Sequence, residues 1–262
     1  LVAMAAYGDD STRDITGDAV YRLAKPSIAE LRGNQLLPSA DGETQVHVSF
    51  GGHELVVPVK VIDAAKPRRV SFRLDVMPIF LRAGCNTGSC HGSARGQDGF
   101  MLSLFGYDPD GDHHRITRQL STRRLNLALA SESLLIEKPT EAVPHTGGKQ
   151  IDVGSPYYNT LVRWIEDGAP NDPKDVIKPL NIEILPPKLL LEGDGATQQM
   201  TVVARYSNGT DRDVTSLVVF QSNNDNSATV SPEGTVTAKN RGEAFVTARF
   251  ATFTVGSQVV VI

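Results

Sequence analysis

The chain opens and closes on short runs in which apolar and polar residues alternate, bounded by Gly, Asn, Asp and Pro. "ETQVHVSFGGHELVVPVKVI" at 43–62 and "EAFVTARFATFTVGSQVVVI" at 243–262 show this most clearly. A period of two broken by turn residues predicts half-buried antiparallel strands. Between them the period lengthens. "DVMPIFLRAG" sets Val76, Ile79, Phe80 and Ala83 at i, i+3, i+4 and i+7, one face of a helix, with Asp75 as N-cap and Pro78 in the first turn. "SPYYNTLVRWIEDGAP" predicts a second helix. Its N-cap is Ser155, Pro156 starts it, Leu161, Val162, Trp164 and Ile165 form its stripe, and Gly168 and Pro170 end it. "DHHRITRQL" and "SESLLIEKP" carry shorter helical patterns. The expected fold is therefore multidomain: a small all-α domain at 71–176 between all-β sandwiches at 1–70 and 177–262.

The two β segments repeat one another. "AAYGDDSTRDITGDAVYRL" aligns with "VARYSNGTDRDVTSLVVFQS", pairing Tyr7 with Tyr206, Arg13 with Arg212, Asp14 with Asp213 and Thr16 with Thr215. On these residues each copy resembles the bacterial immunoglobulin-like family of group 2, which implies small antiparallel sandwiches. The run "IEILPPKLLLEGDG" has no counterpart before Leu1, so the first module is expected to lack its opening strand and to present an edge that a fuller protein would cover.

Composition narrows the classes. Thirty acidic against 26 basic residues give a net charge of −4, which speaks against a nucleic-acid partner. No run approaches the ~20 apolar residues of a membrane helix. The opening residues read as a strand rather than a secretory signal, so any export signal is expected upstream, in a larger polypeptide. Ser131 and Ser155 read as helix caps, and the pairs Asp9–Asp10 and Asp108–Asp110 lie in turns. "DPDGD" lacks the terminal glutamate of a calcium loop. No hydrolytic constellation is visible, which favours a role other than enzyme.

The chemistry concentrates in "CNTGSCHG", which holds both cysteines of the chain, Cys85 and Cys90, followed by His91. Covalent haem attachment needs two thiols for the vinyl groups and a histidine after the second thiol; the usual spacing has two intervening residues, and here there are four. A local disulfide between Cys85 and Cys90 is one alternative. A zinc site using Cys85, Cys90, His91 and His145 is another, made awkward by the adjacency of Cys90 and His91.

The run from "FLRAGCNTGSCHG" through "SLLIEKPT" and "PHTGGK" to "LVRWIEDGAP", about residues 73–172, resembles the cytochrome c-like domain of planctomycete bacteria. That resemblance implies an all-α class I cytochrome c-like fold and one covalent haem c. Cys85 and Cys90 would form thioethers and His91 would be the proximal iron ligand. His145 then takes the distal position, with Met101 as the alternative or an open site as a third. Phe80, Phe100 and Trp164 are candidate haem-packing residues, with Leu102, Leu104, Phe105, Leu134, Leu135 and Leu161 as further apolar wall. Arg95, Arg123, Arg124 and Lys149 are candidate partners of the propionates. His47, His53, His113 and His114 read as strand or surface residues.

Three roles follow. The first is an exported, periplasmic or cell-surface electron-transfer module with an unidentified redox partner. The second is a haem-based sensor or small-ligand binder. The third is a structural or adhesive immunoglobulin-like array.

Overall fold

The computed structural model describes residues 1–8, 11–66 and 68–262; the Asp9–Asp10 pair and Pro67 of the first linker lie outside the described residues. In the first segment β1 (Met4–Ala6) pairs with β2 (Thr12–Asp14), and β4 (Ala29–Arg32) pairs with β5 (Gln35–Pro38). A separate sheet has the order β3 (Val20–Leu23), β6 (Gly42–Phe50), β7 (His53–Val61). Gly51 and Gly52, at φ +57° and +83°, supply the two left-handed positions that a two-residue hairpin turn between β6 and β7 requires.

The last segment holds β8 (Pro179–Leu185), β9 (Lys188–Leu191), β10 (Thr197–Gln199), β11 (Thr201–Tyr206), β12 (Asp211–Asp213), β13 (Val219–Ser222), β14 (Ala228–Val230), β15 (Thr235–Ala238), β16 (Gly242–Phe250) and β17 (Phe253–Val261). These form sheets of order β12-β11-β8, β10-β15-β14 and β13-β16-β17-β9, the last closed by β9 running parallel to β17.

The repeat read from sequence is a repeat of hydrogen bonds. Asp14 Oδ1 accepts from the Thr16 amide at 2.8 Å, as Asp213 Oδ1 does from Thr215 at 2.9 Å. Thr16 Oγ1 then accepts from the Ala3 amide, and Thr215 Oγ1 from Val202. A short acceptor two residues before a hydroxyl builds a side-chain-stapled turn. The hairpins also share a register: Gly42 faces Val61 as Gly242 faces Val261.

Burial separates the copies. Inward positions of the second copy, such as Val202, Ala204, Val246, Val259 and Val261, are buried, whereas among the described residues the first copy buries only Ile15, Ala29, Thr44 and Val46. The counterparts of β8 and β9, which cover those faces in the second copy, are not among the described strands of the first.

The middle segment begins with a wide helical turn at 72–76 that continues into α1 (Met77–Arg82). It is Ser71 Oγ, not Asp75, that caps this start, accepting from the Leu74 amide at 3.0 Å. Then come α2 (Pro109–Thr117), α3 (Ser121–Arg124), α4 (Leu134–Glu137) and α5 (Pro156–Glu166). The expected all-α class I cytochrome c-like domain between two all-β sandwiches is not what the chain forms. It is mostly strand, and its helices run only four to eleven residues. Positive-φ backbone at Gly84, Gly96, Gly99, Gly106, Leu120, Glu141, Gly148 and Gly154 interrupts the helical pattern along the segment. Helices this short depend on packing for their stability.

The packing they use is shared. One continuous core runs from Phe72, Ile79, Trp164 and Ile165 of the middle segment into Ile182, Leu189, Val246 and Val261 of the last. Between the two segments lies the carboxylate of Asp75, which is 3% exposed. Arg68 Nη2 donates to Oδ1 at 2.5 Å, Arg212 Nη1 donates to the same oxygen at 2.8 Å, and the Ser71 amide donates to Oδ2 at 2.9 Å. Burial pushes this carboxyl up, but the hydrogen bond from Arg68, the charges of Arg212 and Arg68 and the Ser71 amide together hold it below its ordinary value. Arg82 Nη2 to Pro232 O at 2.9 Å, Tyr157 Oη to Ser216 O, and Arg249 at 4.4 Å above the Phe105 ring complete the seam. The first segment joins through Thr12 Oγ1, bonded to both the Leu190 carbonyl and amide, and through Asp14 Oδ2, which accepts from Gln199.

Asp75→Asn removes the charge that two arginines share, so we expect a loss of about 2–3 kcal/mol in denaturant unfolding, reduced from the full buried-pair figure because the arginines are partly solvated. A folded-state carboxyl held low stabilises above its unfolded value of about 3.9 and loses that contribution as pH falls through the folded one. The wild type should therefore lose stability below about pH 4, and the variant should lack that component.

Candidate functional site: a cavity with two parallel imidazoles

The four-residue insertion between the thiols is a folded loop. Thr87 N donates to Gly84 O, and the Cys90 and Gly92 amides both donate to Thr87 O at 3.0 Å. The His91 amide donates to Cys85 O at 3.0 Å, which closes the loop on itself and brings Cys85, Cys90 and His91 to the same wall. Gly92 makes this closure possible. A Cβ there would lie 2.1 Å from Asn86 O, a backbone atom that cannot swing aside. Sequence reading passed over Gly92 because its requirement is close approach, without a positive φ or a motif of its own.

The loop faces a cavity of about 790 Å³, which lies within the usual range for cofactor pockets. Its lining includes Cys85, Cys90, His91, His145, Phe80 and Phe100. The ring centroids of His91 and His145 are 6.4 Å apart, with planes only 10° from parallel. His91 Nδ1 lies 2.9 Å from Phe100 O, and His145 Nδ1 lies 2.8 Å from Gly148 O. A carbonyl only accepts, so each Nδ1 carries the proton and, in the neutral ring, each Nε2 keeps its lone pair. Burial, offset in part by the Phe100 carbonyl, together with the nearby His145 ring holds the His91 imidazole below its ordinary pKa, which favours that neutral form.

The thiols are not bonded to each other. Burial, with the neighbouring Cys90, pushes the Cys85 thiol up to about 12, so it rests as the uncharged thiol. Arg124 fastens the far wall. Its guanidinium donates to Arg115 O at 2.9 Å, Gly99 O at 3.0 Å and Gln119 O, and it lies 4.6 Å from the Phe100 ring centroid. Phe100 in turn packs at 4.8 Å from His91.

Other expected residues fall elsewhere. Trp164 is fully buried but does not line the cavity; it packs against Phe72 and donates its indole N–H to Pro170 O at 2.9 Å. Met101 lies between two lining residues without lining the cavity itself. Leu102, Leu134, Leu135 and Leu161 line it, whereas Leu104 and Phe105 face away. Of the proposed propionate partners, Arg123 and Arg124 reach it; Arg95 does not, and Lys149 is paired with Asp152 at 2.6 Å. His113 donates to or accepts nothing in the cavity, its Nε2 lying 2.9 Å from Ala169 O, and His47 pairs with Glu54. Lining residues that the sequence did not single out include Gln97, Asp98, Leu120, Lys138 and Gln150. Gln97, Asp98 and Gln150 come from loops, where no periodicity marks them, and Leu120 and Lys138 lie at the ends of the two short helical patterns.

Two further expectations are corrected by what the chain resembles and holds. Residues 181–259 match the family of bacterial Ig-like domains (group 2). That match does not extend to the middle segment, and no cytochrome c family matches there, so the expected cytochrome c-like family of residues 73–172 is not supported. Among the described residues no group of three or more His, Cys, Asp or Glu side chains could hold a bare metal ion, which also removes the Cys85–Cys90–His91–His145 zinc set. No curated protein matches the chain. Two solved structures similar to it are the S-layer protein SbsC domains 5–6, at 21% identity over 33% of this chain, and SbsC domains 4 and 5, at 12% over 99%. The chain covers 45% of the first and 80% of the second, each at a TM-score of 0.29, which falls short of a shared fold. No helix among the described residues is long and apolar enough to cross a membrane.

Gly92→Ala forces a methyl group into the Asn86 carbonyl, so we expect a loss of about 3 kcal/mol on unfolding by denaturant, the upper end for an overpacked site. Gly88→Ala in the same loop meets only a Leu104 methyl at 3.8 Å and should be nearly neutral.

Proposed function

We propose that the chain belongs to an exported, surface-type protein in which the Ig-like module has a structural or adhesive role and the middle segment carries one covalently held haem. The family match at 181–259 supports the first part, since sandwiches of this kind recur in cell-surface proteins. The paired imidazoles carry the second. A metal–nitrogen bond of about 2 Å on each side, plus the radius of each ring, sets two trans imidazole centroids roughly 6 Å apart. The separation of 6.4 Å and the 10° between planes fit that requirement. Two protein donors are too few for a bare ion, but they are the number that a planar tetrapyrrole leaves to its protein.

In this reading His91 and His145 would hold the iron of the haem. Their Nδ1 contacts to Phe100 and Gly148 fix ring orientation. Cys85 and Cys90 anchor the group, and Phe80 and Phe100 exclude water from its face. Arg123 and Lys138 supply positive charge at the wall. When bound, haem supplies one-electron chemistry. If His91 and His145 both held the iron, substrate would have no place on it, which would favour electron exchange with a redox partner protein over sensing or turnover.

Export of the full chain from a host that attaches haem c should yield one haem per chain, low-spin and resistant to acid-acetone extraction. Cys85→Ala should shift the pyridine haemochrome toward a single thioether, and His145→Ala should convert the iron to high-spin and open it to carbon monoxide. Rapid carbon monoxide binding to the unaltered reduced protein would favour the sensor role. A folded chain without a Soret band would overturn the cofactor and leave the structural or adhesive role of the Ig-like module standing.

A further inference from the structure

His145 rides on a loop between α4 and α5 that is fastened at both ends. Lys138 Nζ donates to Pro144 O at 2.7 Å on one side. On the other, Gln150 Nε2 donates to Gly147 O at 2.6 Å, and the Gln150 and Ile151 amides donate to Pro139 O at 2.7 and 3.0 Å. Across the turn the Gly148 amide donates to His145 O at 2.9 Å. Gly148, at φ +70°, holds a left-handed position that glycine adopts without strain, and its carbonyl accepts from His145 Nδ1 at 2.8 Å.

Gly147 answers to a different requirement. Its backbone lies outside the left-handed region, so conformation does not call for glycine there. Space does. A Cβ on Gly147 would stand 2.9 Å from His145 Cε1, 3.2 Å from Nε2 and 3.5 Å from Nδ1. The imidazole therefore rests against the Gly147 backbone while Gly148 O holds its Nδ1. At Gly92 a Cβ meets a backbone carbonyl; here every atom it would meet belongs to the side chain of His145. A methyl group at 147 thus displaces the ring and leaves the clamped loop in place. A displaced ring loses its bond to Gly148 and its plane, now 10° from that of His91.

We propose that Gly147 is the positioning residue for His145: by carrying no side chain it lets the ring lie against the loop, which keeps the imidazole plane parallel to that of His91. The consequence for redox chemistry rests on the haem reading above; the ring geometry does not. Two imidazoles on one low-spin ferric iron act on it through the angle between their planes. Parallel planes separate the energies of the two iron orbitals that overlap with the rings, which gives a rhombic electron paramagnetic resonance signal. Crossed planes leave those orbitals nearly equal and give a strongly anisotropic signal with a larger highest g value. Gly147 decides which of these the chain imposes.

The test uses the full chain with and without haem. Without haem, a nuclear Overhauser contact is expected between His145 Hε1 and the Gly147 α-protons. With haem, the frozen ferric chain should give the rhombic signal. Gly147→Ala should keep the circular dichroism and the haem content, lose the Hε1 contact to residue 147, and shift the signal to the crossed-plane form. Thr146→Ala, at an exposed position of the same loop, should change neither reading. A crossed-plane signal from the unaltered chain, a missing ring contact without haem, or a Gly147→Ala chain that keeps both readings would overturn the proposal. Loss of the fold in Gly147→Ala would overturn it too, since the backbone and not the ring would then be what gives way. A folded chain that takes up no haem, shows the contact and loses it in Gly147→Ala would remove the cofactor and leave Gly147 as the residue that sets the ring.

Discussion

The Asp75 carboxylate sits where the middle segment meets the last β module, and Arg68 of the preceding linker and Arg212 of that module each bring a guanidinium to one of its oxygens. A buried charge with its partners removed is expensive, so this contact fixes the relative placement of its two flanks more stringently than apolar packing alone. Arg212 is a residue of the repeated β motif, and its counterpart Arg13 pairs with nearby Asp18. The same motif position is thus used for docking in one copy and left to a local surface pair in the other. Around the carboxylate, the shared core aligns α1 and α5 against the last sheets, and the loop from Cys85 to Gly92 leaves the end of α1 already oriented.

That orientation is what makes the cavity specific. His91 comes from the tight turn after the second thiol, whereas His145 comes from a loop 54 residues later, stapled by its own contact to Gly148. Between α1 and α5 the wall is built almost entirely from loops, held by backbone bonds and by Arg124, whose guanidinium is occupied by three carbonyls. A loop-built wall can bring distant residues to one point without the regular repeat of a helix bundle. This explains how two near-parallel imidazoles arise in a segment that lacks the helical frame expected of it.

Strand content, the internal repeat and the hairpin registers were legible because alternation and Gly, Asn and Asp turns are local signals. Cys85, Cys90 and His91 share one short motif, whereas the place of His145 at the same cavity was anticipated only from the family resemblance. The all-α middle domain could not be sustained, because apolar periodicity in "DHHRITRQL" and "SESLLIEKP" says nothing about the non-helical backbone at Leu120, Leu125 and Leu129 that separates them. Trp164 was misplaced for a related reason. Its stripe on α5 marks burial, but which neighbour it faces depends on Phe72 and His113, from elements far away in sequence. Gly92 and Lys138 carried no local signal at all.

The continuity of the core from Phe72 to Val261 has a thermodynamic consequence. Segments that share one interior melt together, so the middle segment and the last β module should behave as one calorimetric unit, with the thinly packed first module a separate transition. Any group that binds the cavity only in the native state then raises the melting temperature of the Ig-like module as well, by mass action through that common interior. Occupancy of the cavity would be reported by a domain that never touches it.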